Sequence, residues 1–315
     1  MHEIDRAVEV LQAGGLVAFP TETVYGLGAD ATNTPAVQRL FAVKGRPSDH
    51  PVIVHVADFA GLDRWGMAPP PAARTLAATF WPGPCTLIVR RRVDGIVGSA
   101  TGGRPTVGLR VPDHPLALDL LRRLDGPIAA PSANRFGRVS PTSAGDVRSD
   151  LGADVDMVLD GGECRIGLES TIVDCTVDPP VIRREGGATR SAISATLDMD
   201  VAVVSEAGVA PGTLPTHYAP RATVELVDEG LVETRARALA ARGMRVGVVG
   251  ADIAVPDVAV DLSVDGGSDA LAHDLYRRLR FADALGLDVV LAVAPPPERL
   301  GSAVTDRLRR AAGRA

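Results

Sequence analysis

Aromatic residues make up only 3% of this 315-residue chain. So few flat rings leave little with which to stack the bases of a nucleic acid. Positive charge is also in deficit: 33 Lys and Arg stand against 39 Asp and Glu, a formal net charge of -6. That balance argues against a protein whose main task is gripping a phosphate backbone. Cysteine is scarce. Cys85, Cys164 and Cys175 are odd in number and widely spaced. They form neither a disulfide framework nor a zinc pattern, and they fit a reducing, cytoplasmic setting. Every apolar run is cut by Gly, Pro or charge before it could cross a bilayer, so no membrane span is expected. The opening Met-His-Glu-Ile-Asp-Arg predicts no signal peptide. There is no internal repeat and no low-complexity tract. What remains is ordinary for a soluble globular protein, with 46% hydrophobic and 23% charged residues. The length exceeds one typical core, so two domains are expected.

The richest stretch runs from Leu16 to Val56. Leu16 to Phe19 is a short apolar run after Gly14-Gly15, as expected of a buried strand that delivers Thr21, Thr23 and Tyr25 onto a loop. Thr34-Pro35 reads as an N-cap followed by proline at the first helical position. Val37, Leu40 and Phe41 share a face of that helix, and Gly45 ends it between Lys44 and Arg46. Val52 to Val56 is a second strand, carrying His55. A lysine, an arginine, His50, His55 and several hydroxyls are thus gathered near one turn, a composition that suits an anionic ligand and phosphate first of all. The plainer reading is that Lys44 and Arg46 complement a helix dipole and that His55 is a core histidine.

Further along, a helix is expected from Pro69-Pro70-Pro71 to about Phe80, then a strand from Thr86 to Val89. Arg90-Arg91-Arg92 reads as a solvated strand end. Thr106 to Pro112 alternates, which predicts a strand with Thr106, Gly108 and Arg110 on one face. A leucine-patterned helix follows, then a short strand from Ile128 running into Pro131-Ser132-Ala133-Asn134. A helix capped by Thr142 or Ser143 runs to Leu151. Met157 to Leu159 and Thr171 to Asp174 are strands around a Gly-rich loop. Residues 209–222 lack periodicity and carry several prolines, so they read as a linker. After it the pattern is β-α-β-α-β-α, a small parallel α/β domain. Gly247-Val248-Val249-Gly250 lacks the full dinucleotide fingerprint, so no such site is assigned.

Several segments then fall into a known order: Pro20-Thr21-Glu22-Thr23-Val24-Tyr25-Gly26-Leu27; Lys44-x-Arg46-Pro47; Trp81-Pro82-Gly83-Pro84-x-Thr86; Gly108-x-Arg110-x-Pro112; Pro131-Ser132-Ala133-Asn134; and Glu169 to Asp174. Together they resemble the Sua5/YciO/YrdC family. The linker ending His217-Tyr218-Ala219-Pro220 and the stretch Gly301 to Ala311 are similar to the longer Sua5 branch. The resemblance implies a YrdC-like twisted α/β domain over 1–208, a linker or lid over 209–222, and a smaller Rossmann-like parallel α/β domain over 223–315. It implies threonylcarbamoyl-AMP synthase activity, a nucleotidyl transfer in which L-threonine, bicarbonate and ATP, with Mg2+, give threonylcarbamoyl-adenylate and pyrophosphate. Downstream transfer proteins then pass the threonylcarbamoyl group to tRNA as t6A.

By the same resemblance, threonine contacts fall on Thr23, His55, Arg110, the Ala130 backbone and Ser170. ATP contacts fall on Lys44, Arg46, His50, Thr106, Ser132, Asn134, Ser140, Arg184 and Tyr218, with Lys44 and Arg46 as the catalytic pair. The residue types agree. Arg110 suits bidentate pairing with an amino-acid carboxylate, small polar groups suit its hydroxyl and amine, and cations with hydroxyls suit a triphosphate. Magnesium is expected on phosphate oxygens rather than in a dedicated protein site. No nucleophile or triad is needed, because positioning and charge neutralisation suffice for such a transfer. Glu169 and Asp174 could form a metal pair, but surface or turn roles are expected instead. Two other readings are a double-stranded RNA-binding protein without synthase activity and a paralogue that removes a nucleotide group.

Overall fold

The computed structural model describes residues 2–206, 208, 210–214, 216–251, 255 and 259–313. They divide into two compact units. The first holds the chain up to Phe136, Ser140–Arg165 and Glu169–Thr213, and the second holds Gly137–Val139, Ile166–Leu168 and Leu214 onward.

In the first unit the helices are α1 (His2–Gln12), α2 (Thr34–Lys44), α3 (Gly61–Trp65), α4 (Pro71–Phe80), α5 (Pro115–Leu124), α6 (Ala144–Leu151) and α7 (Arg190–Leu197). The strands are β1 (Val17–Phe19), β2 (Gly26–Asp30), β3 (Ile53–His55), β4 (Cys85–Arg90), β5 (Thr106–Arg110), β6 (Ile128–Ala129), β7 (Met157–Val158), β8 (Thr171–Asp174) and β9 (Val181–Arg184). They form one mixed sheet in the order β7-β1-β2-β6-β3-β5-β4-β8-β9. Its register sorts the side chains, because residues directly opposite one another in neighbouring strands share a face. Val54, Leu87, Leu109 and Val173 point into a core that also takes Val37, Leu40 and Phe41 of α2 and Leu76 of α4. The other face is covered near β1 and β6, where α1 and α5 pack Ile4, Leu11, Leu120 and Leu121 against Val17, Phe19 and Ile128. Over β3, β4 and β8 that same face carries only a small apolar cluster, Ile53, Ile88 and Ile172 with Ala210.

Local chemistry explains the helix ends. The N-cap of α2 is Asn33, not the expected Thr34: its side chain accepts from the Ala36 N–H, and Thr34 and Pro35 are already inside the helix. Gly45 closes α2 at φ +64, a left-handed position that costs glycine nothing. Ser143 caps α6 in a reciprocal pair with Asp146. Strands β2 and β9 and helices α3 and α7 are additions to the sequence-based expectation.

The second unit holds β10 (Thr223–Leu226), α8 (Val232–Ala240), β11 (Val246–Val249), β12 (Ala259–Asp261), α9 (Gly267–Ala284), β13 (Val289–Ala292) and α10 (Gly301–Ala311). Its sheet is wholly parallel, ordered β10-β13-β11-β12. This is the expected small parallel domain with one short strand, β12, added. Val232, Ala236 and Leu239 of α8 pack on Val246, Val248, Val289 and Leu291. Part of the expected linker is folded into this unit. Tyr218 is 1% exposed, stacks on Tyr276 with centroids 5.8 Å apart, and has the Arg307 guanidinium 5.0 Å from its ring centroid. His217 lies edge-on to Tyr218 at 4.1 Å. Val209 and Pro215, also in the expected linker, lie outside the described residues.

Candidate functional site

The partly uncovered sheet face of the first unit collects several of the polar residues singled out above. Ile53 pairs with Gly108 and His55 with Arg110 between β3 and β5. Gly108 pairs with Ile88 of β4, Thr86 with Ile172 of β8, and Ile172 with Arg184 of β9. The Ala130 N–H donates to the Ile53 carbonyl at 2.9 Å. Register alone therefore puts His55, Thr106, Arg110, Thr86 and Arg184 on one side of the sheet. Several of these strands lie side by side in the sheet though far apart in sequence.

Arg110 is 3% exposed and is held from three directions. Its Nε donates to the Gly83 carbonyl at 3.1 Å, and its Nη2 donates to Thr23 Oγ1 at 2.9 Å. The same Nη2 lies 2.8 Å from Glu22 Oε2. Glu22 is 1% exposed and also accepts the Asp113 N–H at 2.9 Å. The expected bidentate grip on a carboxylate is therefore corrected. Two of the guanidinium nitrogens are already engaged inside the protein, which leaves Nη1 for a further anion. Thr23 Oγ1 in turn shares a hydrogen bond with Thr21 Oγ1 at 2.8 Å.

His55 is buried with Phe19 edge-on to its ring at 5.8 Å, and neither ring nitrogen has a hydrogen-bond partner. It is thus not the satisfied core histidine of the plainer reading. Burial first, and the nearby charge of Arg110 second, hold its pKa well below the usual imidazole value. Ser170 Oγ shares a hydrogen bond with Thr86 Oγ1 at 2.8 Å. Arg184 donates to the Ser170 carbonyl at 2.8 Å and to the Pro211 carbonyl at 2.9 Å.

Lys44, which ends α2, and Arg46 just after it do more than complement the helix dipole. Lys44 Nζ donates to the carbonyls of Ser132 and Asn134, both at 2.5 Å, and so ties the Lys-x-Arg element to the Ser-x-Asn element. The join is to backbone oxygens and does not use the Ser132 hydroxyl; Ser132 as a residue is half-buried. Burial, then the neighbouring charge of Arg46, holds the Lys44 ammonium well below the ordinary lysine range. No carboxylate of the described residues lies within ion-pair distance of it. Arg46 donates to the Pro51 carbonyl at 2.9 Å and sits 5.5 Å from the Phe136 ring centroid. His50 lies 5.9 Å from the same ring, half-buried rather than merely solvated. Ser140 donates to Glu169 Oε1 at 2.6 Å.

Glu169 and Asp174 are 6% and 5% exposed, which overturns the expected surface role, while the Thr176 N–H donating to Asp174 Oδ1 at 3.0 Å fits the expected turn role. Asp174 also receives Arg183 at 2.9 Å and the Thr176 hydroxyl at 2.6 Å. Among the described residues no group of three or more His, Cys, Asp and Glu is gathered as a metal site. Tyr218 belongs to the second unit, whereas the other singled-out residues belong to the first. Glu22, Thr86 and Glu169 escaped the sequence reading as site residues. All three stand inside the quoted motifs, but nothing in the sequence marks an acid as the partner of a distant arginine.

Comparison with known proteins fits this geometry. A family model described as "Telomere recombination", Sua5/YciO/YrdC, matches residues 9–186, and one described as "Threonylcarbamoyl-AMP synthase, C-terminal domain" matches residues 188–313. The chain belongs to the Sua5/YciO/YrdC family. Among relatives, the Bacillus subtilis protein named threonylcarbamoyl-AMP synthase is 40% identical over 99% of this chain and 93% of its own. The Pyrococcus abyssi protein of the same name is 41% identical over 98% and 93%. The crystal structure of Pyrococcus abyssi Sua5 complexed with L-threonine matches with a TM-score of 0.92 at 40% identity, covering 98% of this chain and 94% of that one. Escherichia coli YciO matches 58% of this chain at 27% identity with a TM-score of 0.51. The Sua5 likeness thus spans both units.

Proposed function

We propose that this protein is an L-threonylcarbamoyladenylate synthase, a nucleotidyltransferase that makes threonylcarbamoyl-AMP and pyrophosphate from L-threonine, bicarbonate and ATP. The carrying observation is the match along nearly the whole chain to Sua5 complexed with L-threonine. On this reading Thr23, His55, Arg110, the Ala130 backbone and Ser170 receive threonine. Arg110 offers its remaining nitrogen to the carboxylate, while Glu22 keeps the buried guanidinium compensated. The phosphates of ATP lie against Lys44, Arg46, His50, Thr106, Ser132, Asn134, Ser140 and Arg184. Mg2+ bound with ATP would supply further charge neutralisation, and no protein ligand set is assigned to it.

The chemistry asks little covalent work of the protein. The threonine amine, once deprotonated, adds to the bicarbonate carbon and water leaves, giving a carbamate. A carbamate oxygen attacks the α-phosphorus, and pyrophosphate departs. The chain binds and orients the reactants and neutralises the charge that builds on the phosphates. The product belongs to the t6A modification of tRNA, which downstream transfer proteins complete, and the setting is cytoplasmic, in keeping with three buried free thiols. The test is direct. Protein, threonine, bicarbonate and Mg-ATP are mixed, and pyrophosphate and the adenylate are sought by mass spectrometry. Threonine-dependent formation of both supports the reading; ATP turnover without the adenylate rejects it.

A further inference from the structure

A small pocket opens on the same sheet face. Its floor is apolar, with Ile53, Ile88 and Ile172, and its polar lining includes Thr106 and Arg104. Arg104 figures in none of the assignments above. It is half-buried; its Nη2 donates to the Gly208 carbonyl at 2.8 Å, and its Nη1 is buried without a hydrogen-bond partner. No carboxylate of the described residues pairs with it. Most other arginines of this unit have one, as Arg39, Arg64, Arg74, Arg123 and Arg148 do.

Backbone packing brings Arg104 to the proposed phosphate contacts. The turn before it folds onto the segment after Arg46: the Val52 N–H donates to the Ala100 carbonyl at 2.9 Å. Gly102, at φ +59, lies so close to Asp49 that a Cβ there would stand 2.2 Å from the Asp49 carbonyl oxygen. Only glycine fits that approach. Arg46 donates to the carbonyl of Pro51, and Pro51 also lines the cavity. Burial first, then the positive charges of Arg46 and Arg104, hold the His50 imidazole below its ordinary pKa, with exposed Asp49 opposing them. Arg46, His50 and Arg104 are therefore electrostatic neighbours. A guanidinium that is partly desolvated, unmatched by any acid of the described residues and left with a free donor is costly to keep unless an anion completes it.

We infer that Arg104 is a further anion-binding residue, which with Arg46 and Thr106 holds the pyrophosphate portion of the substrate and of the leaving product. The inference rests on the ATP-dependent reading above and adds to it the residue that receives the departing group. Its chemistry is that of any diphosphate, whether the terminal phosphates of ATP or free pyrophosphate.

The test uses the full-length protein, with Arg104→Gln, which keeps a donor for the Gly208 carbonyl but removes the charge, and Arg104→Lys, which keeps the charge. Binding of inorganic pyrophosphate, ATP, AMP and L-threonine is measured by calorimetry at two salt concentrations. Arg104→Gln should weaken pyrophosphate and ATP by about 10-fold to 100-fold, the loss of one charged hydrogen-bonding contact. AMP and threonine should bind as in the unaltered protein, and Arg104→Lys should recover part of the loss. Weaker ATP with unchanged pyrophosphate would place the residue elsewhere on the nucleotide and overturn the inference. Equal weakening of all four ligands would assign Arg104 a structural role through Gly208 and overturn it too. Pyrophosphate binding by a protein that makes no adenylate would uphold this site while rejecting the synthase reading, so the two failures are distinct.

Discussion

Replacing Glu22 by alanine tests the best-defined electrostatic feature of the site. Glu22 and Arg110 are both nearly inaccessible and lie 2.8 Å apart. Removing one partner of such a pair strands the other charge in a desolvated place, at a cost of about 3–5 kcal/mol. The Asp113 N–H, which donates to the same carboxylate, also loses its acceptor, for about 1 kcal/mol more. In a unit of this size each kcal/mol moves the melting temperature by about 2–4 °C, so Glu22→Ala should melt roughly 8–24 °C lower. Glu22→Gln keeps an acceptor and the side-chain volume and should lose about half as much. Differential scanning calorimetry with urea unfolding reads both. The comparison with an exposed pair calibrates it: Arg74→Ala, which breaks a pair that is half open to solvent on both sides, should leave the melting temperature nearly unchanged. A Glu22→Ala protein that melts within a degree of the parent would show that Arg110 is compensated by something other than Glu22.

Other outcomes follow from the same geometry. Lys44→Ala or Arg46→Ala should abolish adenylate formation while leaving a folded protein, each lost phosphate contact costing about 1.5–3 kcal/mol; normal pyrophosphate release by the folded double variant would sink the assignment. Threonine should be turned over far better than valine, because the pocket's polar groups go unpaired without the hydroxyl, and serine should lose only about 1–3 kcal/mol for its missing methyl; equal rates for valine and threonine would reject the pocket. His55 gives a pH signature. Its folded pKa lies well below the ordinary 6.5, so the unfolded chain binds the proton more readily at mildly acidic pH. Its contribution is fully present above about pH 6.5 and is lost as pH falls below that value. Urea unfolding between pH 5 and 8 should show a shallower slope for His55→Phe than for the parent, and identical slopes would mean that the histidine is not held neutral.

Much of the fold was legible because its strongest signals are local. The α2 stop at Gly45, the proline-led start of α4, the alternation over Thr106 to Arg110 and the parallel pattern after residue 222 all depend on neighbours in sequence. The elements that were missed carry no such signal. Strand β2 is Gly-Leu-Gly-Ala-Asp, poor in β-branched residues, and it is a strand because β1 and β6 flank it. Strand β9 is Val-Ile-Arg-Arg, and its pairing with β8 lets Arg184 reach the Ser170 carbonyl. The site was legible as a set of residue types and as a family pattern, but its pairings were not. That Lys44 would seek the carbonyls of Ser132 and Asn134, or that Arg110 would be claimed by Glu22, depends on contacts some 90 residues apart in the chain.

Those pairings give the sheet face an uneven charge. At Arg110 the protein supplies its own counter-charge, and the acid is as deeply buried as the base. Such a spot is close to neutral overall, which suits a ligand that itself carries one charge of each sign; an amino acid does. At Lys44 and Arg104 the protein supplies only carbonyl dipoles, and no carboxylate of the described residues pairs with either cation. A site of that kind is poorly solvated when empty and is completed by a ligand of net negative charge. On the proposed reading, a spot suited to a zwitterion and a spot suited to a polyanion are what the joining of an amino acid to a nucleotide requires. An acid placed beside Lys44 would stabilise the resting protein and compete with the phosphates. Its absence is therefore the cost in stability that the proposed chemistry demands of this fold.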